Sequence, residues 1–183
     1  MSRVAIFVDG AYLDFMLRDE FIGARIDYSL LSRSLSCNLD ILRTYYYHCL
    51  PYQGSPPTLE ESERFAKAES FFNSLRRLPR YEVRLGKIAF RGTSLEGKPL
   101  FVQKRVDILL GVDLVLLSAK HMITHAALLA GDSDFLPAVE AAKNEGVVVH
   151  LHHGTKYPPH RDLWDTADER TPITQEVINS ILR

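Results

Sequence analysis

The sequence predicts an α/β protein, a mostly parallel central sheet flanked by helices on both faces. Three observations carry this. Residues 4–8 are a continuous apolar run and 124–130 and 147–151 are mostly apolar, as strands buried between helix layers require. Segments between the runs show helical spacing of apolar residues. The first two runs stop at acidic turns, Asp9-Gly10 and Gly131-Asp132-Ser133-Asp134.

Taken in order, residues 4–8 form the first strand and 11–20 begin a helix. Residues 27–36 read as another helix, with Leu30, Leu31 and Leu35 at helical spacing. Residues 41–50 are rich in β-branched and aromatic types and read as a second strand. Within it, Tyr45-Tyr46-Tyr47 is read as core and cross-strand packing. Proline and glycine make 51–57 a loop. Thr58 caps a helix running to about residue 78, with Glu61 completing a capping box and Phe65, Ala68, Phe72 and Leu75 as its apolar face. Residues 81–90 and 100–102 suggest a hairpin. Residues 104–120 read as a helix with Val106, Leu109, Leu110, Leu114 and Leu117 inward. After the 124–130 strand, Phe135, Val139 and Ala142 mark one face of a helix that stops at Gly146. Leu163-Trp164 and 172–182 read as closing helical segments, at about 161–183. No repeat, low-complexity tract or composition shift interrupts the chain, so one domain over 1–183 is expected.

A chain of 183 residues can bury a sizeable core. Hydrophobic residues at 46% and charged residues at 25% are ordinary for a soluble globular protein and argue against disorder. Lys+Arg 22 against Asp+Glu 23 leaves a net charge of −1. There is no global basic excess, so a polyanion has to be held by local patches or by metal. Cys37 and Cys49, eleven residues between them, match neither a disulfide framework nor a zinc motif and are read as reduced, buried thiols. The N-terminus lacks the pattern of a signal peptide, and the longest apolar stretch falls short of the ~20 residues that span a bilayer. A cytoplasmic protein with no membrane partner is expected.

In open parallel sheets the ligand crevice lies beyond the carboxyl ends of the strands, where two apolar runs here end in acid. Aspartate is short and stiff. Several carboxylates converging there repel one another unless a cation sits between them, and hard divalent cations take oxygen ligands. A single aspartate in such a place is explained by helix capping; Asp9, Asp132 and Asp134 together point to metal. Ser133 reads either as a phosphate contact at a helix N-terminus or as a cap. Asp107, at the start of the helix after the hairpin, is favourable with the macrodipole and is read as a further ligand. Asp113 lies ~120° round that helix, so it either supports Asp107 from behind or is solvated.

These motifs in order resemble the NYN domain family, in its LabA-like branch, relatives of the PIN nucleases. They are Phe7-Val8-Asp9-Gly10; Lys104-x-Val106-Asp107 with Asp113; Gly131-Asp132-Ser133-Asp134-Phe135; Gly146 before Val147-Val148-Val149; and Leu163-Trp164 before Ala167-Asp168. The resemblance spans Val4 to about Asp168. It implies a Rossmann-like PIN fold and metal-dependent hydrolysis of RNA, with Asp9, Asp107, Asp132 and Asp134 as the acidic residues. The chain departs from the family in one place: Asp9-Gly10-Ala11 is followed by Tyr12 where an asparagine is usual. Tyr12 either stacks on a base or packs on its own helix.

The expectation is therefore a nuclease using Mg²⁺ or Mn²⁺ on Asp9, Asp107, Asp132 and Asp134, with Lys104 touching a phosphate. The rival is a degenerate NYN module that binds RNA or protein partners without cutting. Single-stranded RNA is the favoured partner, and a homodimer is compatible with the sequence. Arg76, Arg77, Arg80, Arg84, Lys87, Arg91 and Lys98 concentrate positive charge, and Arg76, Arg80 and Lys87 are the candidate phosphate contacts. A dehalogenase-type phosphatase is excluded, because its nucleophilic aspartate would stand at position 7, which is Phe7. His121 and His125 lack the glutamate of a zincin, and His150-Leu151-His152-His153 is read as a polar strand end.

Overall fold

The computed structural model describes residues 2–94, 96 and 99–183; Lys98 of the basic set lies outside them. Seven strands form one sheet in the order β4-β3-β2-β1-β5-β6-β7. They are β1 (Arg3–Asp9), β2 (Asp40–Cys49), β3 (Tyr81–Thr93), β4 (Pro99–Lys104), β5 (His125–Leu129), β6 (Val148–His153) and β7 (Glu169–Pro172). All neighbours are parallel except β3 and β4, which form the expected hairpin.

Period-two alternation along the central strands supplies both faces. Val4, Ile6 and Val8 of β1 join Ala127 and Leu129 of β5 in one cluster, while Ala5 and Phe7 join Ala126 and Leu128 in the other. The first cluster is closed by α1 (Gly10–Asp19), α2 (Tyr28–Leu35), α3 (Leu59–Arg76) and α7 (Gln175–Ser180). The second is closed by α4 (Val106–Ala119), α5 (Leu136–Asn144) and α6 (Arg161–Thr166). Tyr46 and Tyr47 are fully buried and Tyr45 nearly so, in keeping with their reading as core.

The capping box of α3 forms as its sequence predicts: Glu61 N–H donates to Thr58 Oγ1 at 3.2 Å, and Thr58 N–H to Glu61 Oε2 at 2.8 Å. Gly146 follows α5 with φ +80, a left-handed stop that glycine adopts without a side-chain clash. Two boundaries differ from expectation. Residue 104 still belongs to β4, and Arg105 takes φ 78 at the cap of α4, so that helix begins two residues late. The closing segment contains β7 between α6 and α7. Among the described residues, no helix is long and apolar enough to cross a membrane.

Candidate functional site

Parallel pairing brings the ends of β1 and β5 side by side, with Val8 opposite Leu129. Asp9 ends β1 and caps α1, its Oδ1 accepting from the amides of Ala11 at 3.0 Å and Tyr12 at 3.3 Å. Asp132 caps a short 3₁₀ turn, Ser133–Phe135, and its Oδ1 accepts from Asp134 N at 3.1 Å. That gives the cap to Asp132 and not to Ser133, whose carbonyl accepts from the Leu136 amide. Asp107 lies in the first turn of α4.

These carboxylates sense one another. Burial pushes Asp9 up to about 6, with its two amide hydrogen bonds opposing and the charge of Asp107 adding to the rise. Burial raises Asp107 as well, and Asp132 and Asp134 raise it further. The sequence-predicted acids thus share one rim, but they do not close on a single point. Among the described residues, only Cys37, His150 and His152 form a trio of ligating side chains with donor atoms all within 4.8 Å of one another. Instead the acids divide between two clefts. Asp9 and Asp132 line one of about 520 Å³ with Tyr12, Gly131 and His160. Asp107 and Asp134 line an apolar one of about 810 Å³ between α4 and α5. Asp9 and Asp132, which share a cleft, each turn one carboxylate oxygen back to the amides that follow them.

Tyr12 is neither a free stacking platform nor packed only on its own helix. Its hydroxyl donates to Tyr157 O at 2.9 Å and accepts from Gly154 N at 3.0 Å, and its ring fills the space where a Gly131 side chain would stand. Asp113 is neither solvated nor beside the acids: it accepts from Tyr47 Oη at 2.9 Å and from Arg84 Nε at 3.2 Å. The basic candidates also separate. Lys87 pairs in register with Lys104 on the hairpin, which continues past the carboxyl end of β2. Arg76, at the end of α3, donates to Asn73. Arg80 precedes β3 and donates to Asp40 and to the Ile41 carbonyl at the opposite, amino end of the sheet.

The structure adds residues that sequence reasoning passed over. His48, near the end of β2, has Nε2 3.0 Å from Asp14 Oδ2. Burial disfavours its charged form, but the hydrogen bond and charge of Asp14 outweigh this and raise its pKa; its charge in turn lowers that of Asp9. A Gly10 side chain would collide with the ring, its Cβ meeting His48 Cδ2 at 2.6 Å. His160 lines the cleft and caps α6. Position at a strand end next to β1 was the available signal for His48. His160 sits in a loop and offered none.

The fold is similar to that of a protein of unknown function, VPA0982 from Vibrio parahaemolyticus RIMD 2210633, with TM-score 0.68 and 20% identity over 100% of this chain and 96% of that one. The chain is also similar to uncharacterized protein y4oD of Sinorhizobium fredii (strain NBRC 101917 / NGR234). That match is 37% identical over 84 residues, 43% of this chain and 39% of the relative's length. The NYN domain model matches residues 3–172, from the first strand through β7 and across the whole acidic rim, and the chain belongs to that family, within the PIN-like nuclease superfamily.

Proposed function

We propose that the protein is a LabA-like ribonuclease that hydrolyses phosphodiester bonds of single-stranded RNA with Mg²⁺ or Mn²⁺. The observation that carries this reading is the acidic rim, where Asp9 and Asp132 line one cleft, Asp107 and Asp134 its neighbour, and mutual repulsion adds to the raised pKa values of Asp9 and Asp107. The donor set fits the metal, being carboxylate oxygen that hard divalent cations prefer, and local negative charge that a cation relieves. Such an ion, held by these carboxylates, would lower the pKa of bound water and neutralise phosphate charge. The protein's part is to hold the carboxylates: amides fix Asp9 and Asp132, and Asp14 orients the His48 ring, whose charged form it favours. Lys87 and Lys104, paired on the hairpin, would contact the backbone of the RNA.

A second reading, a module that binds RNA or a protein partner without cutting, draws on Tyr12 and on the division of the acids between two clefts. The two separate experimentally. With Mn²⁺, the wild type is expected to cleave single-stranded RNA, and Asp134→Asn to lose at least ~100-fold of the rate while keeping most RNA affinity. Binding without cleavage in the wild type, with cleavage appearing in Tyr12→Asn, favours the second reading. Absence of both binding and cleavage for RNA and DNA overturns the first.

A further inference from the structure

Strand β6 places His150 and His152 on the same side, with ring centroids 4.4 Å apart, on the face packed by α2. The turn after α2 sets Cys37 against them, and the three side chains offer donor atoms all within 4.8 Å of one another. Cys37 Sγ is 3.3 Å from His150 Nδ1, and Glu169 Oε2 lies 3.2 Å from the same nitrogen. Tetrahedral zinc with ordinary bond lengths separates sulfur from nitrogen by ~3.5 Å and nitrogen from oxygen by ~3.4 Å. Those two spacings are within a few tenths of an ångström of that, and the His152 donor lies within 4.8 Å of both Cys37 and His150.

Two further observations point to a ligand. His152 is 3% exposed, yet its Nε2 has no hydrogen-bond partner, and buried polar atoms are rarely left so. The His150 ring is also steadied from outside: its Nε2 is 2.7 Å from Thr171 Oγ1, the outer contact that a ligating imidazole characteristically makes. A cavity of about 210 Å³ opens beside the cluster, lined by Cys37, His125, His150 and Glu169.

We propose that Cys37, His150 and His152 bind a zinc-class transition-metal ion, with water or Glu169 in the fourth position. The site is distinct from the acidic rim in place and in chemistry: it offers sulfur and nitrogen, which suit zinc and not magnesium. Binding releases the Cys37 thiol proton to solvent and ties the α2–β2 turn to β6 across 113 residues of chain. It stands or falls independently of RNA cleavage.

The test uses the full chain, stripped with chelator and titrated with Co²⁺ and then Zn²⁺. A sulfur-to-cobalt charge-transfer band that saturates at one Co²⁺ is expected, displaced by Zn²⁺, absent in Cys37→Ser and retained in Asp132→Asn. Because His152 variants risk misfolding, wild-type alkylation mapped to Cys37 gives a second reading, and Zn²⁺ should slow it by about tenfold or more. A Co²⁺ spectrum without the charge-transfer band, the same band in Cys37→Ser, or unchanged alkylation overturns the proposal and leaves the Cys37–His150 contact an ordinary hydrogen bond.

Discussion

Asp9 is pulled two ways. Its amide hydrogen bonds at the start of α1 favour the anion, while burial favours the neutral acid, and burial wins, carrying the pKa from 3.8 to about 6. A carboxyl raised in the folded state binds protons more readily than in the unfolded chain. Its stabilising contribution is therefore complete below about pH 4 and lost as pH rises through 6. At 1.36 kcal/mol per unit, the full swing is on the order of 3 kcal/mol. Asparagine caps a helix as well as aspartate does. With chelator present, Asp9→Asn should thus be more stable than wild type at pH 7 by ~1–3 kcal/mol and show a flatter urea midpoint between pH 4 and 7. A loss of stability at pH 7 instead would mean that the Asp9 charge is already compensated and that no cation is needed to relieve it.

Gly131 and Tyr12 join the exit of β5 to α1. An added Cβ at Gly131 would meet the Tyr12 ring at 2.6 Å, so Gly131→Ala should cost ~1–3 kcal/mol of overpacking in denaturant unfolding. Tyr12→Asn empties that space, and the double variant should recover much of the loss; strict additivity would show that the clash is relieved elsewhere. What was legible in the sequence follows the same logic of burial. The runs at 4–8, 124–130 and 147–151 are mostly apolar because helices cover both faces, and they mark three strands of the sheet, the first two beside acidic turns. Strand β7 was missed because Glu169-Arg170-Thr171-Pro172 is a polar edge, paired on one side only and without an apolar pattern to read. The helix start at Val106 was missed because Lys104 and Arg105 have ordinary helix propensity, and a left-handed Arg105 leaves no trace in composition. Cys37 was read as buried and isolated. It is exposed, and its neighbours His150 and His152 are brought to it by the sheet, which local spacing does not encode.

The basic residues are distributed unequally between the two ends of the sheet, and this decides which of them the proposed nuclease can use. Lys87 and Lys104 stand on the hairpin beyond the carboxyl end of β2, whereas Arg80 is committed to Asp40 at the amino end. Lys87→Glu should weaken RNA binding and lower the slope of affinity against salt by about one to two charges, while Arg80→Glu should leave both within error. Equal effects in filter binding would place the RNA path elsewhere. The Tyr12 hydroxyl, held between the Gly154 amide and the Tyr157 carbonyl, has a kinetic consequence for the loop that carries Pro158, Pro159 and His160 into the cleft. Glu20 binds the same loop through the Thr155 and Tyr157 amides, so α1 clamps it with a phenol and a carboxylate together. Opening the loop must release both. In Tyr12→Phe the Gly154 amide loses its acceptor while the Glu20 contacts remain, and hydrogen exchange should accelerate at Gly154 alone; exchange that quickens through residue 160 would show that the phenol is the latch and the carboxylate only follows it.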